Sequence, residues 1–246
     1  MRRCARSRLS GASLIVAATC GALVSVSTAQ DDASGLPVRI VGSDNAVIER
    51  SCRIVVRADV IEDVDGNGVI HVRGDDIVVD LGGQRLRGGA PDVAPDEMSG
   101  VGVSIEGDGV TLIGGEISGF RVGIRAHETD RLTLADIRLD DLWRQRLLST
   151  PQAEVSSDWL WPHENDEGQW VERYGAAVDL RNAHDVEIRE VVIRRGQNGI
   201  VLDCVNDSRI YDNDASFLSG WGLALWRSNG NIISRNSFDF CIRGYS

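Results

Sequence analysis

From Ala176 onward, apolar and polar positions recur with a period of about 22 residues. Asp185-Val-Glu-Ile188, Asp207-Ser-Arg-Ile210 and Gly230-Asn-Ile-Ile233 align, their final isoleucines 22 and 23 positions apart. About a dozen residues later comes a small residue with an alternating apolar pair, Gly199-Ile-Val-Leu202 and then Gly222-Leu-Ala-Leu225. Short alternating runs at such a period predict β-strands wound into a solenoid. One coil cannot bury its own apolar face, whereas stacked coils can.

The pattern extends upstream through Asp76-Ile-Val-Val79, Asp108-Gly-Val-Thr-Leu112 and Asp130-Arg-Leu-Thr-Leu134. Leu134 follows Leu112 by 22 positions, but Val79 to Leu112 spans 33 and Leu134 to Ile188 spans 54. The excess falls in two insertions, 88–100 and 143–175, which a solenoid must place as loops on one face. Gly82-Gly83, Gly114-Gly115, Asp212-Asn213 and Asn229-Gly230 suit tight turns between strands. Asn213 and Asn236 each fall three residues after an aligned isoleucine, so their amides should stack in a ladder at about 4.8 Å.

The motif Asp-x-x-Ile, then Asn, then Gly-Ile-x-Leu resembles the repeats of right-handed parallel β-helix proteins. The stretch Gly68-Val-Ile-His-Val72 to Val79-Asp-Leu-Gly-Gly83 looks like a first complete coil of that group. The group includes pectate-lyase-like enzymes, carbohydrate-binding and sugar-hydrolase modules, and NosD-type periplasmic proteins linked to copper-site assembly. The resemblance runs from about Ile48 to the end and implies an all-β, right-handed parallel β-helix, to which the 143–175 insertion adds a long Trp-rich loop. It implies little about activity, because the shared residues build coils.

Residues 1–29 read as a secretory signal peptide: Arg2, Arg3, Arg6 and Arg8, an apolar run Leu14–Val26, then Ser27-Thr28-Ala29. An uncleaved N-terminal anchor is the alternative. Residues 30–47 read as a lead-in and 48–246 as the β-helix. Phe238 to Ser246 reads as the start of another coil, so a longer protein or a covering partner is expected there. A periplasmic or secreted location follows. The formal charge of −11 becomes −15 without the four leader arginines. Such a surface repels nucleic acid and anionic membranes. Cys52, Cys204 and Cys241 remain, an odd number that excludes complete internal pairing; burial of Cys204 and Cys241 as small coil residues is expected. The chain has no lysine, which excludes lysine Schiff-base chemistry and lysine-based elimination.

Alternation assigns side chains to faces. If Ile124, Val178, Leu180, Ile200, Leu202, Leu223 and Leu225 point inward, two outward columns follow: Arg125, Asp179, Val201, Ala224, and His127, Arg181, Asp203, Trp226. In the second, an indole could stack on a pyranose while the carboxylate and guanidinium take hydroxyls. The plainer account is a solvated ladder in which Arg181 pairs with Asp203. The 143–175 insertion holds Trp143, Trp159, Trp161 and Trp170, four of six tryptophans, interleaved with His163, Glu164, Asp166, Glu167 and Glu172. They form either an aromatic wall over the outward face or a satellite core. Of the carboxylate pairs, Asp140-Asp141, Asp179 with Asp203, and Asp212 with Asp214, none sits in a polygalacturonase-like context.

Asp63-Val-Asp-Gly-Asn-Gly68 follows the first half of an EF-hand loop, making Asp63, Asp65 and Asn67 candidate ligands for calcium, the one cofactor suggested. Gly74 stands where the closing Glu belongs, so a plain turn competes. The four histidines are scattered without transition-metal spacing. The leading expectation is a protein that binds, and cleaves or modifies, a neutral or weakly charged polysaccharide. Asp179, Asp203 and Arg181 would be its catalytic candidates; Arg125, His127, Trp159, Trp161, His163 and Trp226 would bind substrate. A non-catalytic scaffold and a metal-site accessory protein are the alternatives.

Overall fold

The computed structural model describes residues 35–159, 165 and 167–241. The chain folds as a parallel β-helix: three sheets, all parallel, of eight, seven and five strands, run the length of the stack. Each coil contributes one strand to the first sheet and one to the second, and the middle coils add one to the third. The sheets begin at Val38–Val41 and Ala46–Ile48, within the stretch expected as lead-in.

The aligned repeat positions stack. Val79, Leu112, Leu134, Ile188, Ile210 and Ile233 are consecutive neighbours across the first sheet. The first five are wholly buried, and Ile233, in the last coil, is 42% exposed. In the second sheet, Val103, Ile124, Val178, Ile200 and Leu223 form one inward column and Ile105, Ala126, Leu180, Leu202 and Leu225 the next. Except in the last coil, where Leu225 is 40% exposed, their removal from water is the main stabilising term, roughly 25 cal/mol per Å² of apolar surface.

Corners between strands are polar and sharply bent. Asp76, Asp185 and Asp207 have φ near +50°, as do Asp136 and Asp212. Asp tolerates this left-handed region better than most non-glycine residues. The small residue opening each second-sheet strand has a steric reason. A Cβ on Gly123 would lie 2.6 Å from both the Ala177 carbonyl oxygen and Leu139 Cδ2; on Gly199 it would lie 2.3 Å from the Gly222 carbonyl oxygen. The Asn ladder is present: Asn213 Nδ2 donates to Asn236 Oδ1 at 2.9 Å and to the Ile188 carbonyl at 2.9 Å. Asn213 Oδ1 accepts from Val191 N–H at 2.9 Å, so a buried corner keeps its backbone satisfied.

The two insertions meet on the outer face of the second sheet. Trp143 Nε1 donates to the Asp96 carbonyl at 2.9 Å, tying one to the other. Met98, Trp143, Trp170 and Tyr174 form a second core there, with Val93, Trp221 and Trp226 packed against it. The short helix Gln169–Tyr174 lies over this core. Arg121 fastens the helix end, donating to the Glu172 and Arg173 carbonyls at 3.0 and 2.6 Å. No helix among the described residues is long and apolar enough to cross a membrane.

Candidate functional site

Both outward columns of the second sheet have the expected register. Ser104, Arg125, Asp179, Val201 and Ala224 are neighbours, and so are His127, Arg181, Asp203 and Trp226. Their environments divide along the stack. Val201 is wholly buried and Ala224 nearly so, although each points away from the interior. Val201 packs with Val101, Val122, Val171 and Ala176, and Trp226 leans on that cluster. The insertion core covers this part of the face.

The neighbouring part is polar and half open. Asp179 is wholly buried, surrounded by three cationic or protonatable side chains whose exposure is 31% for Arg125, 35% for His127 and 20% for Arg181. His127 Nε2 lies 3.0 Å from Asp179 Oδ2. Arg181 donates through Nε to Oδ1 and through Nη2 to Oδ2, each at 3.2 Å. Arg125 Nε approaches Oδ2 only to 3.9 Å, too far for a hydrogen bond. Burial raises the Asp179 pKa, but the His127 hydrogen bond and the charges of His127 and Arg181 outweigh it and hold the carboxyl below its usual value. Burial pulls Arg125 below the usual guanidinium value. Arg125 Nη1 donates to the Gly66 carbonyl at 3.3 Å, linking the site to the 63–68 turn.

Arg181 does not pair with Asp203 as the ladder reading required. It turns back along its own strand to Asp179, and Asp203 is taken by Arg227, at 2.9 and 2.6 Å, and by Asn165 Nδ2 at 2.9 Å. Arg227 also reaches the Asn165 carbonyl at 3.0 Å. Asn165 Oδ1 accepts from Trp170 N–H at 3.1 Å, which anchors the helix start to the buried Asp203. Gly168, with φ +80°, packs closely against the Arg181 guanidinium, where a Cβ would come within 1.8 Å of Nη1. Both carboxylates expected to move protons are therefore buried and clamped by cations.

The aromatic residues fall into separate groups. Trp143 and Trp170 are buried against the barrel, and Trp226 is half-buried with ring centroids 6.2 Å from Trp170 and 5.4 Å from Trp221. Trp159 is 56% exposed, its Nε1 donating to Glu154 at 2.9 Å. Trp161 and His163 lie outside the described residues, as do residues 1–34. The other paired carboxylates face other surfaces and hold salt bridges: Asp140 with Arg138 and Arg195, Asp141 with Arg195, Asp212 with Arg235, and Asp214 with Arg194. The thiols of Cys52 and Cys241 are free, and burial pushes Cys52 up to about 11.

The calcium candidates separate. Asp63 and Asp65 come together with Asp44, one carboxylate oxygen of each within 4.8 Å of the others. Asn67 instead turns its Oδ1 to His71 Nε2 at 2.8 Å. Asp63 accepts from the amides of Gly66 and Val101, and Asp44 from those of Asn45 and Val64, so these carboxylates already shape the turn.

Sequence reasoning overlooked Asn165, Gly168 and Arg227, whose roles depend on how the insertion lies. It also overlooked His71 and Ser104. The same 33-residue offset that aligns Val79 with Leu112 aligns His71 with Ser104 on the outward column, and that signal was available.

No family model matches the chain, and no curated protein matches it. Among solved structures, a candidate glycosyl hydrolase from Parabacteroides merdae is similar over 76% of this chain and 82% of its own, at 10% identity and a TM-score of 0.47. A likeness at that level carries no argument about activity.

Proposed function

We propose that the half-open part of the second sheet's outer face binds a carbohydrate chain. One observation carries this reading: His127 and Arg181 are fixed at partial exposure by Asp179, a carboxylate that is itself wholly buried, and Arg125 stands beside them, held by the Gly66 carbonyl. Polar groups held on a rigid sheet before a ligand arrives lose little entropy on binding: planar guanidinium groups donate to hydroxyl and acyl oxygens, and an imidazole nitrogen accepts from a hydroxyl. Asp179 and Asp63 lie near Arg125 and offset the cationic charge, which favours a neutral or weakly charged sugar over a polyanion. An extracytoplasmic setting belongs to this reading, supported by the leader-like Met1–Ala29.

The test is a glycan-array screen of the full chain, followed by calorimetric titration of the best ligand. Arg125→Ala and His127→Ala should each weaken binding about tenfold or more, equivalent to about 1.4 kcal/mol. Unchanged affinity in both rejects the reading. A second reading, a non-catalytic scaffold, draws on the burial of Trp143 and Trp170 as a satellite core instead of an open aromatic wall. An array with no bound glycan, together with a protein partner whose capture depends on Trp159, would favour it.

A further inference from the structure

The carbohydrate reading leaves open which group on this face exchanges protons. Asp179 is wholly buried and its oxygens already serve His127 and Arg181. Asp203 is 4% exposed and held by Arg227 and Asn165. Glycoside hydrolysis ordinarily uses two carboxylates free to act on the scissile bond, as acid, base or nucleophile. Neither of these has that freedom.

His127 does. Its ring is about one-third exposed, its Nε2 is fixed on Asp179, and its Nδ1 has no hydrogen-bond partner among the described residues. A carboxylate at one ring nitrogen draws the proton there and leaves the lone pair on the other, the logic by which a buried aspartate orients a histidine base. Arg125 sits two residues earlier on the same strand and face, about 6–7 Å away along the backbone. It has one of its five N–H groups on the Gly66 carbonyl. A base and a cationic donor group separated by that span can flank a single tetrahedral carbon.

We propose that this face hydrolyses acyl esters of the bound saccharide, with His127 as the base, Arg125 as the oxyanion donor and Asp179 as a positioning residue. The proposal rests on the carbohydrate reading. His127 Nδ1 takes a proton from water while the water oxygen bonds to the ester carbonyl carbon. The carbonyl π pair moves onto its oxygen, facing the Arg125 N–H donors. As the intermediate collapses, the bond between the acyl carbon and the sugar oxygen breaks and His127 returns its proton to that oxygen. Ester and water give a carboxylic acid and a free sugar hydroxyl, with no further reactant.

The experiment measures acetate release, alongside new reducing ends, from acetylated xylo- and chito-oligosaccharides with the full chain. Acetate without new reducing ends is expected. His127→Gln, which keeps a polar side chain for binding, should lower kcat roughly 100-fold with a much smaller change in KM, the signature of lost proton transfer. Asp179→Asn should lower kcat less and displace its pH profile, which a purely structural role would not do. Oligosaccharides that bind and release no acetate overturn the proposal while leaving the carbohydrate reading intact. So does an undiminished rate in His127→Gln. Failure of every oligosaccharide to bind or react removes both.

Discussion

The inner and outer faces of the same strands obey different rules. The column from Val79 to Ile210 holds only branched aliphatic residues, Val, Leu, Leu, Ile and Ile, each wholly buried. The outward column changes from Ser104 and Arg125 to Val201 and Ala224 within the same sheet. The interior is closed by the next coil, which is always the same object, so the sequence repeats. The exterior is closed by whatever lies over it: the insertion core above Val201, and open space beside Arg125 and His127. Periodicity therefore reports the stack, and departures from it report what covers the stack.

Breaking the interior should cost most. Ile188→Ala removes a side chain with buried neighbours above and below and should destabilise the fold by about 2–5 kcal/mol in chemical denaturation. Asp179→Asn keeps the shape but removes the charge facing Arg125, His127 and Arg181, and should cost about 1–3 kcal/mol. The lower end applies because its partners are partly in water. Its pH signature is distinctive. The folded state holds Asp179 below its ordinary value, so its contribution is complete above the unfolded carboxylate pKa, about 4, and is lost as pH falls through the lower folded value. Acid unfolding of the Asn variant should begin from a lower stability and fall less steeply in that window. Asn213→Ala leaves the Val191 amide and Ile188 carbonyl of a buried corner without their partner and should cost about 1–2 kcal/mol. Arg235→Ala breaks an exposed pair with Asp212 and a surface cation–π contact with Tyr211, and should move the unfolding midpoint little. A large effect there, or a small one at Ile188, would erase the distinction between the faces.

How much was legible follows from the same division. The register Ile188–Ile210–Ile233 and both outward columns could be read because strand alternation and coil spacing are local rules. The Asn213–Asn236 ladder was readable for the same reason. The pairing of Arg181 with Asp179, not Asp203, was not: the competition is decided by Arg227 and Asn165, and Asn165 belongs to an insertion whose path no repeat specifies. Burial of Val201 was hidden likewise, since nothing in Gly199-Ile-Val-Leu202 says that Val171 lies above it. The turn at Asp63–Asp65 shows a further limit. Its spacing suggested three ligands in a row, but Asn67 is drawn to His71, a contact set by the neighbouring strand.

The central claim is that a buried carboxylate fixes His127 and Arg181 on this face, and the tautomer of His127 tests it most directly. Nitrogen-15 imidazole NMR, with His127 assigned by its loss in His127→Gln, should show the neutral ring protonated on Nε2 and bare on Nδ1, with that preference weakened in Asp179→Asn. A His127 ring protonated on Nδ1, or one whose signals are identical in the Asp179→Asn variant, would contradict it.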